Sequence, residues 1–201
     1  MTSQNSQFAF SNSHRSSWAW KAPLYSRVRR LPVLAGLLAA EQKQLAELLR
    51  QVPQPIGLHL DVGSGTGDTL ALFQDRTTTI CVDASRAMLR RLPHAPKLQA
   101  HAESLPFANQ TFDFVSALGV LEYVPDARGF FEEMRRVLQP QRCFLFTSSP
   151  LVLANYLRQI WGERLYLRST EEIARLLSRT GWQQREHART WLQEQWLARR
   201  E

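Results

Sequence analysis

The spacing of apolar residues changes character at Ile56. Before it, Leu34, Leu37, Leu38, Leu45, Leu48 and Leu49 recur near helical spacing, which predicts an amphipathic helix ahead of the core. After it, short apolar runs alternate with helical stretches. The runs predict strands at 57–62, 78–83, 97–101, 112–118 and 142–148, with helices near 66–75, 85–92 and 126–138. Such alternation calls for a mainly parallel sheet covered on both faces. Past Pro150 the pattern is irregular until a better marked helix. There Ser169 and Glu172 form a capping box, Ile173, Leu176 and Leu177 give the apolar face, and Gly181 closes it. "WQQREHART" and "EQWLARR" predict two final strands.

The chain of 201 residues is 44% hydrophobic and 21% charged, which fits one ordinary globular domain. Residues 1–17 are rich in Ser, Asn and Gln and are expected to be mobile. Residues 1–50 therefore read as a mobile segment plus a helix that caps the domain formed by 51–201. "SRVRRLPVLAGLLAA" imitates a signal peptide, but its positive region begins some 25 residues in, later than such peptides place it. Its apolar run, Leu31 to Ala40, is also too short to span a bilayer. A cytoplasmic protein is expected. Cys81 and Cys143 both fall in apolar runs and read as buried thiols, and no Cys/His cluster has zinc spacing, so no metal is expected.

The net charge of +7 sits at the ends of the chain. Residues 1–50 carry seven Lys/Arg against two Glu, residues 51–157 nine against ten, and residues 158–201 nine against six. The basic N-terminal region is a candidate for peripheral membrane contact.

The chemistry is concentrated in "LHLDVGSGTGDTL", Leu58 to Leu70. A strand ends at Asp61 and the chain turns at once, so backbone N–H groups gather at the carboxyl edge of the sheet. Glycines let a ligand approach that main chain closely. The spacing is G-x-G-x-G at Gly63, Gly65 and Gly67. Asp68 stands where the dinucleotide fingerprint has its third glycine, and a carboxylate there is a poor neighbour for pyrophosphate. No G-x-x-x-x-G-K-[ST] motif is present to cradle a triphosphate. A ligand without phosphates fits better.

D-V-G-S-G-T-G after a strand resembles the first motif of class I S-adenosylmethionine-dependent methyltransferases. The resemblance extends in order along the chain: Asp83 in "TICVDAS", Met88 in the next helix, "AESLPFANQTFDFV", "SALGVLEYV" and "EEMRRVLQPQRCFLFTSS". It covers residues 56–149 well and 169–200 loosely, and is nearest to the methyltransferase type 11 and ubiquinone/menaquinone methyltransferase group. It implies an α/β three-layer sandwich with a Rossmann-like, mainly parallel seven-stranded sheet, the last strand antiparallel. It also implies S-adenosylmethionine as cofactor and S-adenosylhomocysteine as product. The cofactor-binding positions carried over are Asp61, Gly63, Ser64, Gly65, Gly67, Asp83, Ala84, Met88, Ala102, Glu103, Ser104 and Leu118. Asp83 would accept both ribose hydroxyls, Met88 would face the adenine, and Asp61 would lie near the cofactor's amino group.

Methyl transfer from a sulfonium is an in-line displacement with a good, neutral leaving group. It needs alignment and exclusion of water, and a base only when the nucleophile starts protonated. Tyr123, His14 and His187 are the weak candidates for proton transfer. Members of the group often carry histidine where this chain has Tyr123. Candidate acceptor contacts are Trp18, Trp20, Tyr25, Tyr123, Trp161 and Tyr166, whose aromatic character suits a hydrophobic, lipid-like small molecule. Nucleic acid is not expected, since Leu121-Glu122-Tyr123 replaces the Asn/Asp-Pro-Pro-Tyr of adenine methyltransferases and Cys143 follows Arg142 rather than proline. An RNA or protein methyltransferase docking through the basic ends, and a non-catalytic cofactor-binding partner subunit, remain open alternatives. The sequence assigns no oligomeric state.

Overall fold

The computed structural model describes residues 32–73, 77–92, 95–150, 164–191 and 193–201. His14, Trp18, Trp20, Tyr25 and Trp161, and the N-terminal segment before the first helix, lie outside the described residues.

Seven strands form one sheet: β1 (Leu58–Val62), β2 (Thr78–Asp83), β3 (Lys97–Gln99), β4 (Phe112–Ala117), β5 (Leu138–Ser148), β6 (Trp182–Arg189) and β7 (Glu194–Arg200). Their order is β3-β2-β1-β4-β5-β7-β6. Every pairing from β3 to β5 is parallel, and β7 runs antiparallel to both β5 and β6. The expected seven strands with the last one reversed are therefore present.

Alternation along the strands sends successive side chains to opposite faces. Leu60, Val62, Phe144, Phe146 and Trp196 face helices α3 (Ala127–Val137) and α4 (Thr170–Arg179), where Phe130, Phe131, Met134, Ile173 and Leu177 meet them. Phe114, Cys143, Leu145 and Leu197 face the other way, onto Leu45, Leu48 and Leu49 of α1 (Pro32–Arg50) and onto Phe73. This is the three-layer sandwich. α1 is also held at its middle: Gln195 Nε2 donates to the backbone carbonyl and the carboxylate of Glu41, 3.0 Å each.

Several boundaries differ from the sequence reading. Of the helix expected at 66–75, the described part is a single 3₁₀ turn, Leu70–Leu72, built on successive i→i+3 bonds from Gly67 to Phe73. Gly67, Asp68 and Thr69 are poor helix formers, and the chain never enters the α-helical ladder. The helix expected at 85–92 is only α2 (Arg86–Leu89), capped by Ser85 and followed by Pro93 in the sequence. Strand β3 stops at Gln99, and His101 instead makes an isolated bridge to Ser104. β5 starts directly at the end of α3, four residues before the expected start, because Leu138 already pairs with Phe112. Ser169 caps α4 by accepting from the Glu172 N–H at 3.2 Å, while the Glu172 carboxylate faces Arg168 at 3.9 Å.

Candidate functional site

Strand order runs outward in both directions from β1 and β4, so their carboxyl ends diverge and leave a crevice at that edge. The glycine loop sits there. Gly63, Gly65 and Gly67 have φ of 72°, 56° and 84°, the left-handed region that side chains rarely tolerate. Gly63 has a second reason to be glycine: a Cβ would lie 2.2 Å from Val120 Cγ2, in the turn after β4. The N–H groups of Gly63 and Ser64 both donate to the Val82 carbonyl, at 2.7 and 3.0 Å, and tie the loop to β2. The buried Ser64 hydroxyl donates to the Asp61 carbonyl at 2.7 Å.

Two carboxylates flank this loop. Asp83, at the end of β2, accepts from the Gly65 N–H at 2.9 Å through Oδ2 and from the Ser85 N–H at 2.7 Å through Oδ1. Burial raises its carboxyl above the usual range, and those two N–H groups oppose the rise. Each oxygen retains a lone pair for a further donor. Asp61 is 1% exposed. Its Oδ1 accepts from the Ser116 hydroxyl at 2.6 Å, and its buried Oδ2 has no hydrogen-bond partner among the described residues. Burial pushes Asp61 up to about 6, against the pull of the Ser116 and Ser64 hydroxyls and with a further push from the charge of Asp83.

Of the other positions carried over from the resemblance, Met88 is buried, and its Cε would stand 3.8 Å from a Cβ built on Gly65. The carbonyl of exposed Ala84 accepts from Gln99 Nε2 at 2.9 Å. Ala102 packs on the main core, and exposed Glu103 and Ser104 lie in a turn closed by the Ser104 N–H on the His101 carbonyl, 3.1 Å. Leu118 leans on the α1 side.

The turn after β4 forms the opposite wall. Half-buried Tyr123 lies in a 3₁₀ turn, Leu121–Tyr123, and buried Glu122 accepts from the Ser149 hydroxyl at 2.8 Å. The Tyr166 N–H donates to the Glu122 carbonyl at 2.7 Å, so two of the aromatic candidates reach the same turn. His187 does not. It lies on β6, stacked on Trp196 with ring centroids 3.9 Å apart, four strand spacings or about 19 Å from β1. Among the described residues no cluster of three or more His, Cys, Asp and Glu could hold a metal ion. Nor is any described helix long and apolar enough to cross a membrane.

Three further features went unread in the sequence. His59 and Ser116 lie fully buried beside Asp61. Arg168 clamps the turn after β4 by donating to the carbonyls of Leu121, Tyr166, Val124 and Pro125, at 2.7–3.1 Å. The first was readable in principle, since a histidine two residues before Asp61 in an apolar strand shares its face. Arg168 was not, because nothing in the sequence links it to the turn residues more than 40 positions away.

The site suits a ligand that carries a cation and neutral hydroxyls. A pyrophosphate would meet Asp61, Asp68 and Asp83 around one loop. S-adenosylmethionine fits: it offers an ammonium for the unpartnered Asp61 oxygen, hydroxyls for Asp83, and no phosphate.

Comparison with known proteins agrees. Residues 60–146 match the family model described as a methyltransferase domain. The chain is 28% identical over 140 residues to the malonyl-[acyl-carrier protein] O-methyltransferase of Halorhodospira halophila, covering 63% of this chain and 48% of that protein. It is 28% identical over 132 residues to the ubiquinone/menaquinone biosynthesis C-methyltransferase UbiE of Rickettsia massiliae, covering 57% and 53% respectively. It thus spans about half the length of these curated relatives. The solved magnesium protoporphyrin IX methyltransferase of Synechocystis, with bound SAH, superposes with a TM-score of 0.70 at 16% identity, over 92% of this chain and 95% of that one. With its glycine loop, its acidic strand ends and its seven-stranded sheet, the chain is similar over residues 60–146 to the methyltransferase domain family and shares the fold of solved S-adenosylmethionine-dependent methyltransferases.

Proposed function

We propose that this protein transfers a methyl group from S-adenosylmethionine to a small, hydrophobic or lipid-like acceptor. The observation that carries the cofactor half is the buried Asp61 oxygen without a partner, next to a loop in which Gly63 leaves no room for a side chain. Asp61 would hold the ammonium, Asp83 the ribose hydroxyls, and Gly63 to Gly67 the methionine and ribose by main-chain contact. Met88 would cover the adenine. Bound there, the cofactor supplies an electrophilic methyl group on a good leaving group, and the protein has to align the acceptor and keep water away.

The acceptor half rests on the wall after β4. Tyr123 lies in the Glu122 turn, the Tyr166 N–H bonds to the Glu122 carbonyl, and Arg168 fixes that turn to the start of α4. Aromatic surface of this kind favours a hydrophobic acceptor. The H. halophila and R. massiliae relatives, an O-methyltransferase for a carrier-bound malonyl group and a C-methyltransferase of quinone biosynthesis, support a small acceptor of this class.

Calorimetric titration with S-adenosylmethionine and S-adenosylhomocysteine, with NADH for comparison, tests the cofactor reading. Micromolar binding of both adenosyl ligands, lost in Asp83→Ala, is expected. Binding of NADH alone would overturn it. Transfer of a labelled methyl to quinone, phenolic or lipid-amine acceptors then tests the acceptor class. Labelling of RNA or protein instead would replace it.

A further inference from the structure

Asp61 is not held by its own strand alone. His59 is 0% exposed, with its ring 4.3 Å from that of Phe73 and 5.0 Å from that of Phe114. A valine would suit such a place; an imidazole there costs free energy unless both nitrogens are bonded. Both are. Nδ1 lies 3.0 Å from Thr79 Oγ1 on β2, and Nε2 lies 2.9 Å from Ser116 Oγ on β4. Ser116 in turn reaches Asp61 Oδ1 at 2.6 Å, within the range of a charge-assisted bond.

The proton order in this chain follows from its last member. An ionised carboxylate has no proton to give, so the single hydroxyl proton of Ser116 goes to Asp61. Ser116 then needs a donor on its other side, which fixes His59 as the tautomer with its proton on Nε2. Nδ1 must accept, and the Thr79 hydroxyl donates to it. Every donor points toward Asp61. A cluster serving only the fold would close on itself, yet Asp61 Oδ2 stays buried without a partner among the described residues.

We infer that Thr79, His59 and Ser116 form a one-way hydrogen-bond chain that holds the Asp61 carboxylate as the receptor for the cofactor's ammonium, making His59 and Ser116 positioning residues for cofactor binding. The inference rests on the cofactor reading proposed above and adds the residues that govern it.

Burial raises both Asp61 and the neighbouring Asp83, while His59 and Cys81 stay neutral. His59, on its own strand, is held down at about 3 by burial and stays neutral. Cys81, its register partner on β2, is pushed up to about 11 by burial and by the charge of Asp61, and also stays neutral. Asp83, at the end of β2, is the other nearby carboxylate, and β4 contributes only Ser116. Lys97 of β3 acts on Cys81. An ammonium docking on Asp61 therefore expels whatever proton the carboxyl still holds.

The test is calorimetry with S-adenosylhomocysteine from pH 5.5 to 8.5, in pairs of buffers of different ionisation enthalpy. The wild type should release about half a proton per ligand at pH 6 and almost none at pH 8, with affinity falling toward about tenfold per pH unit on the acid side. Ser116→Ala removes the donor to the carboxylate. It should weaken binding about tenfold at pH 7, recover most of that by pH 8.5, and move the proton release to higher pH. His59→Val should move the profile the same way by a smaller amount. Wild-type binding with no proton release and a flat pH profile would overturn the inference, and needs no variant to observe. So would a Ser116→Ala defect equal at every pH, as a merely structural role would give. Absence of any S-adenosylhomocysteine binding to the wild type removes the cofactor reading itself. Binding that Asp61→Asn weakens, while Ser116→Ala and His59→Val keep the wild-type profile, removes only the chain.

Discussion

The β2–β1 side of the sheet and the β5–β7–β6 side are assembled from different interactions. On the first, carboxylates accept directed bonds: Asp83 takes the N–H groups of Gly65 and Ser85, and Asp61 takes the Ser116 hydroxyl. On the second, rings hold rings: Phe144 stacks on Phe146 at 4.9 Å, Phe146 on Trp196 at 5.9 Å, and Trp196 on His187 at 3.9 Å. Directional polar bonds fix atoms in place and contribute little net stability, whereas buried aromatic area contributes much stability and tolerates small displacements. Position is supplied on one side and stability on the other, and substitutions can separate the two.

The largest effect should come from the aromatic side. Trp196→Ala empties a fully buried site and should cost about 3–5 kcal/mol, lowering the melting temperature by about 10 °C in a scan. Cofactor affinity in the folded fraction should change less than about threefold; a larger loss would mean that the two sides are not separable. Next is Arg168→Met, which removes the guanidinium donor from three carbonyls of the turn after β4 and from that of Tyr166. A stability loss of about 2–4 kcal/mol is expected by denaturant titration, with turnover falling further than cofactor affinity. Gly63→Ala reverses the pattern. Its Cβ runs into Val120 in a left-handed backbone, so cofactor affinity should drop at least about tenfold by calorimetry while the melting temperature moves by only a few degrees.

A further effect lies in pH dependence. His59 is neutral in the folded protein down to about pH 3, but its unfolded counterpart takes up a proton below about 6.5. Stability from this group is thus lost as pH falls through that window. Asp61, raised to about 6, works in the opposite sense: between about pH 4 and 6 the folded state binds its proton more tightly than the unfolded chain does. The two largely cancel there. Asp61→Asn should expose the His59 contribution, steepening the acid-side loss by about 1.4 kcal/mol per pH unit in denaturant titrations at pH 4, 5 and 6. An unchanged slope would mean that Asp61 titrates elsewhere.

Most of the fold was legible because burial imposes period. The strands ending at Val62, Asp83 and Ser148 were readable from apolar runs, and α4 from its Ser169 cap. The segments after Gly67 and Ser85 misled because apolar spacing there matches a helix, while glycine, threonine and proline chemistry stops it from propagating. The glycine loop was legible for a similar reason: Asp61, Gly63, Gly65 and Gly67 lie within one short stretch of sequence. The chain Thr79–His59–Ser116 was not, because its members sit on three strands and meet only through the register of β1 with β2 and β4. Arg168 was hidden in the same way.

The placement of β7 has a consequence for synthesis of the chain. β6 is made first, yet it joins the sheet only through β7, which inserts between β5 and β6. The Glu41 carboxylate on α1 likewise waits for Thr190 and Gln195, some 150 residues downstream. Until β7 leaves the ribosome, the edge of β5 stays open. The nascent sheet is therefore sealed only once β7 is made, and the edge of β5 is exposed for the time taken to make β6 and β7.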